Sequence, residues 1–189
     1  MWPEIRRNWR SALQVILLGV GGTVCYYVWS VSAVQQAVLI HAMAQGTVLL
    51  ASVLATVLLT ISLPFWGKFS DRFGRRPAMI IGHGVPILLY IPLESVLGSS
   101  FWSLFIPASI ILVTMGSVLS TTPAVFAEMF PTRVRTIGVA VPYSISVALF
   151  GGTAPYLQAW MNSEFGEIPF IVYVMVLMVI STVASFKLI

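Results

Sequence analysis

Apolar residues gather in six runs along the chain, at residues 11–32, 46–66, 78–97, 101–125, 136–158 and 168–186. Each is close to the roughly 20 residues that an α-helix needs to cross about 30 Å of hydrocarbon. Inside lipid every backbone N–H and C=O has to be paired within its own segment, which a helix achieves. The pattern therefore predicts an all-α polytopic membrane protein, a single bundle of six transmembrane helices over residues 1–189. The runs differ in texture. The first carries Gly19, Gly21 and Gly22, which admit close helix neighbours. The second is rich in Ser and Thr, and the third holds Pro86 and Pro92, which predict kinks. The last is mostly Val, Ile, Leu and Met.

The polar breaks are short and unequal in charge. Residues 33–45 form a linker with Gln35, Gln36 and His41 but no Lys or Arg. The densest run of charge is Gly67-Lys68-Phe69-Ser70-Asp71-Arg72-Phe73-Gly74-Arg75-Arg76-Pro77, between the second and third runs. There Gly67 is expected to end the incoming helix and Gly74 to take a positive φ. Pro77 suits the first turn of the outgoing helix. Asp71 is a lone carboxylate, placed either to accept charge-assisted bonds from Arg72, Arg75 or Arg76 or to sit against the positive N-terminus of a neighbouring helix. A second charged break, Glu128-Met129-Phe130-Pro131-Thr132-Arg133-Val134-Arg135, separates the fourth and fifth runs. The turns at residues 94–100 and 162–167 carry Glu94, Glu164 and Glu167 and no cation. Six spans place all ten Lys and Arg on one face, which the positive-inside rule makes cytoplasmic, with both termini on that side. Trp2 and Trp9 beside Arg6, Arg7 and Arg10 read as an interface anchor.

Composition narrows the class further. Hydrophobic residues make up 58% of the chain and charged residues 8%, against about 25% charged in a soluble domain. The net charge of +4 sits in short loops between apolar runs, so it points to lipid headgroups and not to nucleic acid. The single cysteine, Cys25, lies in an apolar run, where it reads as a packing residue with no disulfide partner. The first run is too long for a cleavable signal peptide. No His, Asp or Glu cluster, no Ser–His–Asp set and no metal-ligand spacing occurs, so no enzyme, metal or cofactor is expected. His83, the one titratable group well inside a run, reads as structural in preference to a proton relay.

The order Gly67-x-Phe69-Ser70-Asp71-Arg72-x-Gly74-Arg75-Arg76 resembles the signature loop of the major facilitator superfamily, with Phe69 where leucine is usual. The segment Glu128-x-x-Pro131-x-x-x-Arg135, with Arg133 inside it, is similar to one that facilitators carry between the fourth and fifth helices of each half. The run from Val134 to Pro155, with Phe150-Gly151-Gly152-Thr153-Ala154-Pro155, resembles one branch, the metabolite:proton symporters. That branch includes proline/betaine, α-ketoglutarate, citrate and shikimate permeases of bacterial inner membranes.

The resemblance implies half of a facilitator, the carboxy-terminal six helices, built as a 3+3 inverted repeat. It implies a carrier of a small metabolite (an organic acid, betaine or amino acid) that is driven by protons and works by alternating access as a split or truncated carrier. The alternative is an inactive remnant or accessory membrane protein. The first, second, fourth and fifth spans would face the cavity, with the third and sixth outside. Candidate cavity residues are Tyr26, Tyr27, Trp29 and Ser30, then Thr114, Ser117 and Thr121, then Tyr143 and Ser146. No Asp, Glu, Lys or Arg lies mid-span, so the proton-carrying acid is expected on the missing amino-terminal half. Arg72, Arg75 and Arg76 on one loop and Glu128 on the other would form a cytoplasmic latch. The expected partners are substrate, proton, membrane lipids, and the other half or a second copy.

Overall fold

The structure is a computed structural model that describes residues 9–188. Arg6, Arg7 and Trp2 of the expected interface anchor lie outside those residues. Six helices are long and apolar enough to cross a membrane: α1 (Trp9–Leu39), α2 (Gln45–Phe73), α3 (Arg75–Glu94), α4 (Phe101–Glu128), α5 (Arg135–Phe165) and α6 (Glu167–Leu188). A π-helical turn interrupts α1 at Val28–Ser32 and α5 at Val147–Gly151.

Three expected breaks are displaced. The linker after the first run is helical as far as Leu39, and the chain turns only at residues 40–44, where Ala42 takes φ 50°. Gln35 and Gln36 are adequate helix formers, and no Gly or Pro interrupts them. Gly67 does not end its helix, because α2 continues to Phe73 and the turn shrinks to Gly74. Gly74 adopts φ 94°, a conformation closed to most L-residues, and its N–H closes on the Ser70 carbonyl. Likewise the polar turn before α6 shrinks to Gly166, at φ 81°. With 29 residues, α2 is about 43 Å long and exceeds the apolar core of a bilayer. Its last turns, with Lys68, Asp71 and Arg72, therefore project beyond the hydrocarbon as helix and not as loop. α3 runs unbroken through Pro86 and Pro92.

The bundle is organised by α1 and α4, the two most buried helices. α1 packs against α5 and α6, and α4 packs against α2 and α3, while α3 and α6 meet each other. Exchanging α1 with α4, α2 with α5 and α3 with α6 leaves this map of principal neighbours unchanged. Three helices per unit reverse the second unit relative to the first, which is the 3+3 inverted plan.

Small residues allow the close approaches. At Gly21 a Cβ would stand 2.7 Å from the Leu177 carbonyl oxygen on α6. The Gly21 N–H donates to Ser181 Oγ at 2.9 Å, and Ser181 donates on to the Leu17 carbonyl at 2.7 Å. Between α2 and α4, Trp66 Nε1 donates to the Val113 carbonyl at 2.7 Å. Trp29 of α1 and Tyr90 of α3 meet edge to face in the core, with centroids 5.8 Å apart. Leu49, Leu50, Val53, Leu54, Val57 and Leu58 leave much of α2 exposed, as do Val172, Val176 and Val179 on α6.

Candidate functional site

A groove of about 570 Å³ opens between α1, α4 and α5. Its size falls within the usual range for small-molecule sites. The glycines of α1 recur at helical spacing, so Gly19 and Gly22 lie on one stripe with Thr23 and Tyr26. That stripe forms one wall. Leu119, Thr122 and Phe126 of α4 and Val139, Tyr143 and Val147 of α5 form the others. None of the lining residues is charged. The π turn of α5 closes one end, where Gly151 fits so tightly that a Cβ would stand 2.7 Å from Thr23 and 2.8 Å from Tyr27.

Three of the nine candidate cavity residues, Tyr26, Tyr27 and Tyr143, line this groove. Ser146 is buried beside it, with an Oγ that has no hydrogen-bond partner among the described residues and that a Cβ on Gly19 would approach to 3.8 Å. The others lie elsewhere. Trp29 is packed inside the bundle against Tyr90. Ser30 donates to Tyr26 O at 2.6 Å, and Thr114 to Ile110 O at 2.7 Å. Ser117 and Thr121 are buried, and they donate to the carbonyls of Thr114 and Ser117. Hydroxyls on a helix satisfy themselves on their own backbone, which is why they did not gather at the groove. α2 contributes no lining residue, and its Ser52, Thr56 and Thr60 bond back along their own helix. Gly19, Gly22 and Phe126 were missed as lining residues, although the glycine spacing already marked one face of α1.

The charged segments meet at one end of the bundle. Arg75 Nη2 stands 2.8 Å from Glu128 Oε1, joining the start of α3 to the end of α4. The other expected pairings with Glu128 do not form. Arg76 donates to the Phe186 carbonyl and covers the Phe186 ring at 5.5 Å, and Arg72 lies over Phe73 at 5.4 Å. Asp71 is exposed and has no ion-pair partner among the described residues, so none of its three expected arginine contacts is made. It lies in the helical last turn of α2, one step before Arg72, and adjacent helical residues point apart. Arg135 Nε reaches the Phe130 carbonyl at 3.4 Å, while Pro131 and Arg133 are exposed. Gly138 leaves room for Phe130, whose ring would stand 2.5 Å from a Cβ there.

Six antiparallel apolar helices, a groove between them and ionic contacts confined to one end describe part of a membrane carrier. The chain belongs to the Major Facilitator Superfamily, whose sequence profile matches residues 8–189. Members of that family are transporters and not enzymes. Among its relatives, the alpha-ketoglutarate permease of Escherichia coli (strain K12) is 27% identical over 186 residues, covering 96% of this chain and 43% of the relative. The ectoine/proline transporter ProP of Corynebacterium glutamicum is 27% identical over 185 residues, covering 95% and 36%. The proline/betaine transporter of Salmonella typhimurium is 31% identical over 192 residues, covering 96% and 37%. The chain thus spans about two-fifths of the length of these relatives. No solved structure matches it significantly.

Proposed function

We propose that this chain is the carboxy-terminal half of a proton-coupled carrier for a small organic acid, betaine or amino acid. The observation that supports this reading is the groove between α1, α4 and α5, which is open and not enclosed, as a face that meets a second bundle would be. Alternating access then consists of two bundles rocking about a substrate held between them. The groove supplies shape, ring faces and hydroxyls, but its lining holds no Asp, Glu, His, Lys or Arg. The proton-binding acid therefore belongs to the opposing bundle. That bundle is a matching amino-terminal half or, failing one, a second copy of this chain.

The end that joins Arg75 to Glu128 faces the cytoplasm of a bacterium, and the membrane is its inner membrane. The cations of the α2–α3 and α4–α5 connections support this orientation. Asp71, unpaired within the described residues, meets the opposing bundle in one of the two rocking states. The Arg75–Glu128 pair closes the same end as one element of the latch.

A second reading, an inactive remnant or accessory membrane protein, is favoured by the lack of any carboxylate or cation among the residues lining the groove. Uptake separates the two. Labelled glycine betaine, proline and α-ketoglutarate are offered to vesicles holding this chain alone, or this chain with a six-helix amino-terminal half of a relative. Uptake that needs both halves and collapses with the proton gradient supports the carrier. Protein present in the membrane with no uptake in either case supports the remnant.

A further inference from the structure

We propose that the groove is a receptor for a quaternary ammonium head group, an inference that rests on the carrier reading and names its substrate class. Three partly exposed rings line it, Tyr26 and Tyr27 of α1 and Tyr143 of α5, with the buried ring of Phe126 on α4 packed against Tyr143. Tyr26 and Tyr27 meet edge to face at 6.0 Å and 80°, and Phe126 and Tyr143 are tilted by 59° at 6.0 Å. Tyr26 and Tyr27 are turned steeply to one another and Tyr143 is tilted from Phe126, so the three exposed rings do not stack shut. Gly19 keeps the space beside the second pair clear. A Cβ at that position would lie 3.7 Å from the Phe126 ring and 3.9 Å from the Tyr143 ring, within van der Waals contact of both.

The chemistry of the lining selects among charged ligands. Among the described residues no Lys, Arg or His lines the groove, so a dicarboxylate meets no cation from them in it. No Asp or Glu faces it either, so a primary ammonium would give up water for too few acceptors. A quaternary ammonium has no N–H to satisfy and spreads its charge over methyl groups. Ring faces attract such a cation through their quadrupole while making apolar contact with the methyls. In a betaine, the carboxylate then points out of the open side of the groove, toward the opposing bundle. This half holds the cationic pole and the other half holds the anionic one.

The test measures binding of trimethylammonio ligands to the purified chain in detergent micelles, by equilibrium dialysis and by saturation transfer to the trimethyl protons. Glycine betaine is compared with 3,3-dimethylbutanoate, which has the same shape and carboxylate but a neutral carbon in place of nitrogen. Betaine is expected to bind about tenfold tighter than this isostere, with tetramethylammonium competing and α-ketoglutarate not competing. Tyr143→Leu is expected to erase that preference, and Tyr143→Phe, which keeps the ring, to restore it, with helix content by circular dichroism unchanged in both. Equal binding of the isostere, no binding of betaine, or a preference that survives Tyr143→Leu overturns the proposal. Binding to micelles requires no transport, so its result is independent of the uptake experiment that decides the carrier reading.

Discussion

At the scale of single residues, the two motif glycines and the ion pair carry different weights. Gly67 was expected to stop a helix, yet it sits inside one with nothing within 4 Å of where a Cβ would be. Gly67→Ala is therefore expected to stabilise the isolated bundle by about 0.5–1 kcal/mol through helix propensity, read as a raised unfolding temperature in detergent. If that variant is stable but loses uptake with the other half, the close approach that Gly67 permits lies across the bundle interface. Gly21→Ala is the opposite case. Its Cβ would collide with the backbone of α6, and a loss of about 1–3 kcal/mol is expected in the same measurement. The Arg75–Glu128 pair is partly exposed at both partners, so a double-mutant cycle with Arg75→Gln and Glu128→Gln is expected to return about 1 kcal/mol or less. Asp71→Asn is expected to leave that stability unchanged while abolishing uptake by the two-half carrier. Unchanged uptake would remove Asp71 from the latch. The sequence marked out the charged residues of this end, because charge is scarce in the chain. It did not show which arginine pairs with Glu128, since that depends on how far α2 extends before it turns.

At the scale of helices, the apolar runs placed all six elements and misjudged their ends. Hydropathy reports where lipid is, whereas a helix continues until something stops it, and in α2 and α5 the stop is one glycine past a polar turn. The fourth run, read as starting near residue 101, begins where α4 does, and the structure supplies the reason: Ser100 and Ser103 form a reciprocal capping box. Ser100→Ala is expected to cost about 1 kcal/mol, with increased amide exchange confined to the first turn of α4. The π turns were not legible. Each adds a residue to a turn without changing the polarity pattern, and both lie beside the groove, where Gly151 is wedged against Thr23 and Tyr27. The groove itself was half legible. Tyrosines stood out as amphipathic residues in apolar runs, but only packing could show that Phe126 joins them or that Trp29 turns to the interior.

At the scale of the molecule, each central helix is flanked by helices of the other three-helix unit, and this reaches beyond the folded state. α1 is made before the other five helices described, yet its main neighbours, α5 and α6, are the last of them to be made. The Gly21–Ser181 bond spans a sequence separation of 160 residues. Until α5 and α6 are made, α1 lacks these two flanks, and Gly21 lacks the α6 backbone that it packs against. A release after α3 would leave α1 without either of its flanks and α4 missing altogether, an obvious substrate for membrane proteases. Two separately expressed pieces, residues 1–97 and 98–189, are expected to be degraded when made singly and to accumulate together when co-expressed, because each completes the other's central helix.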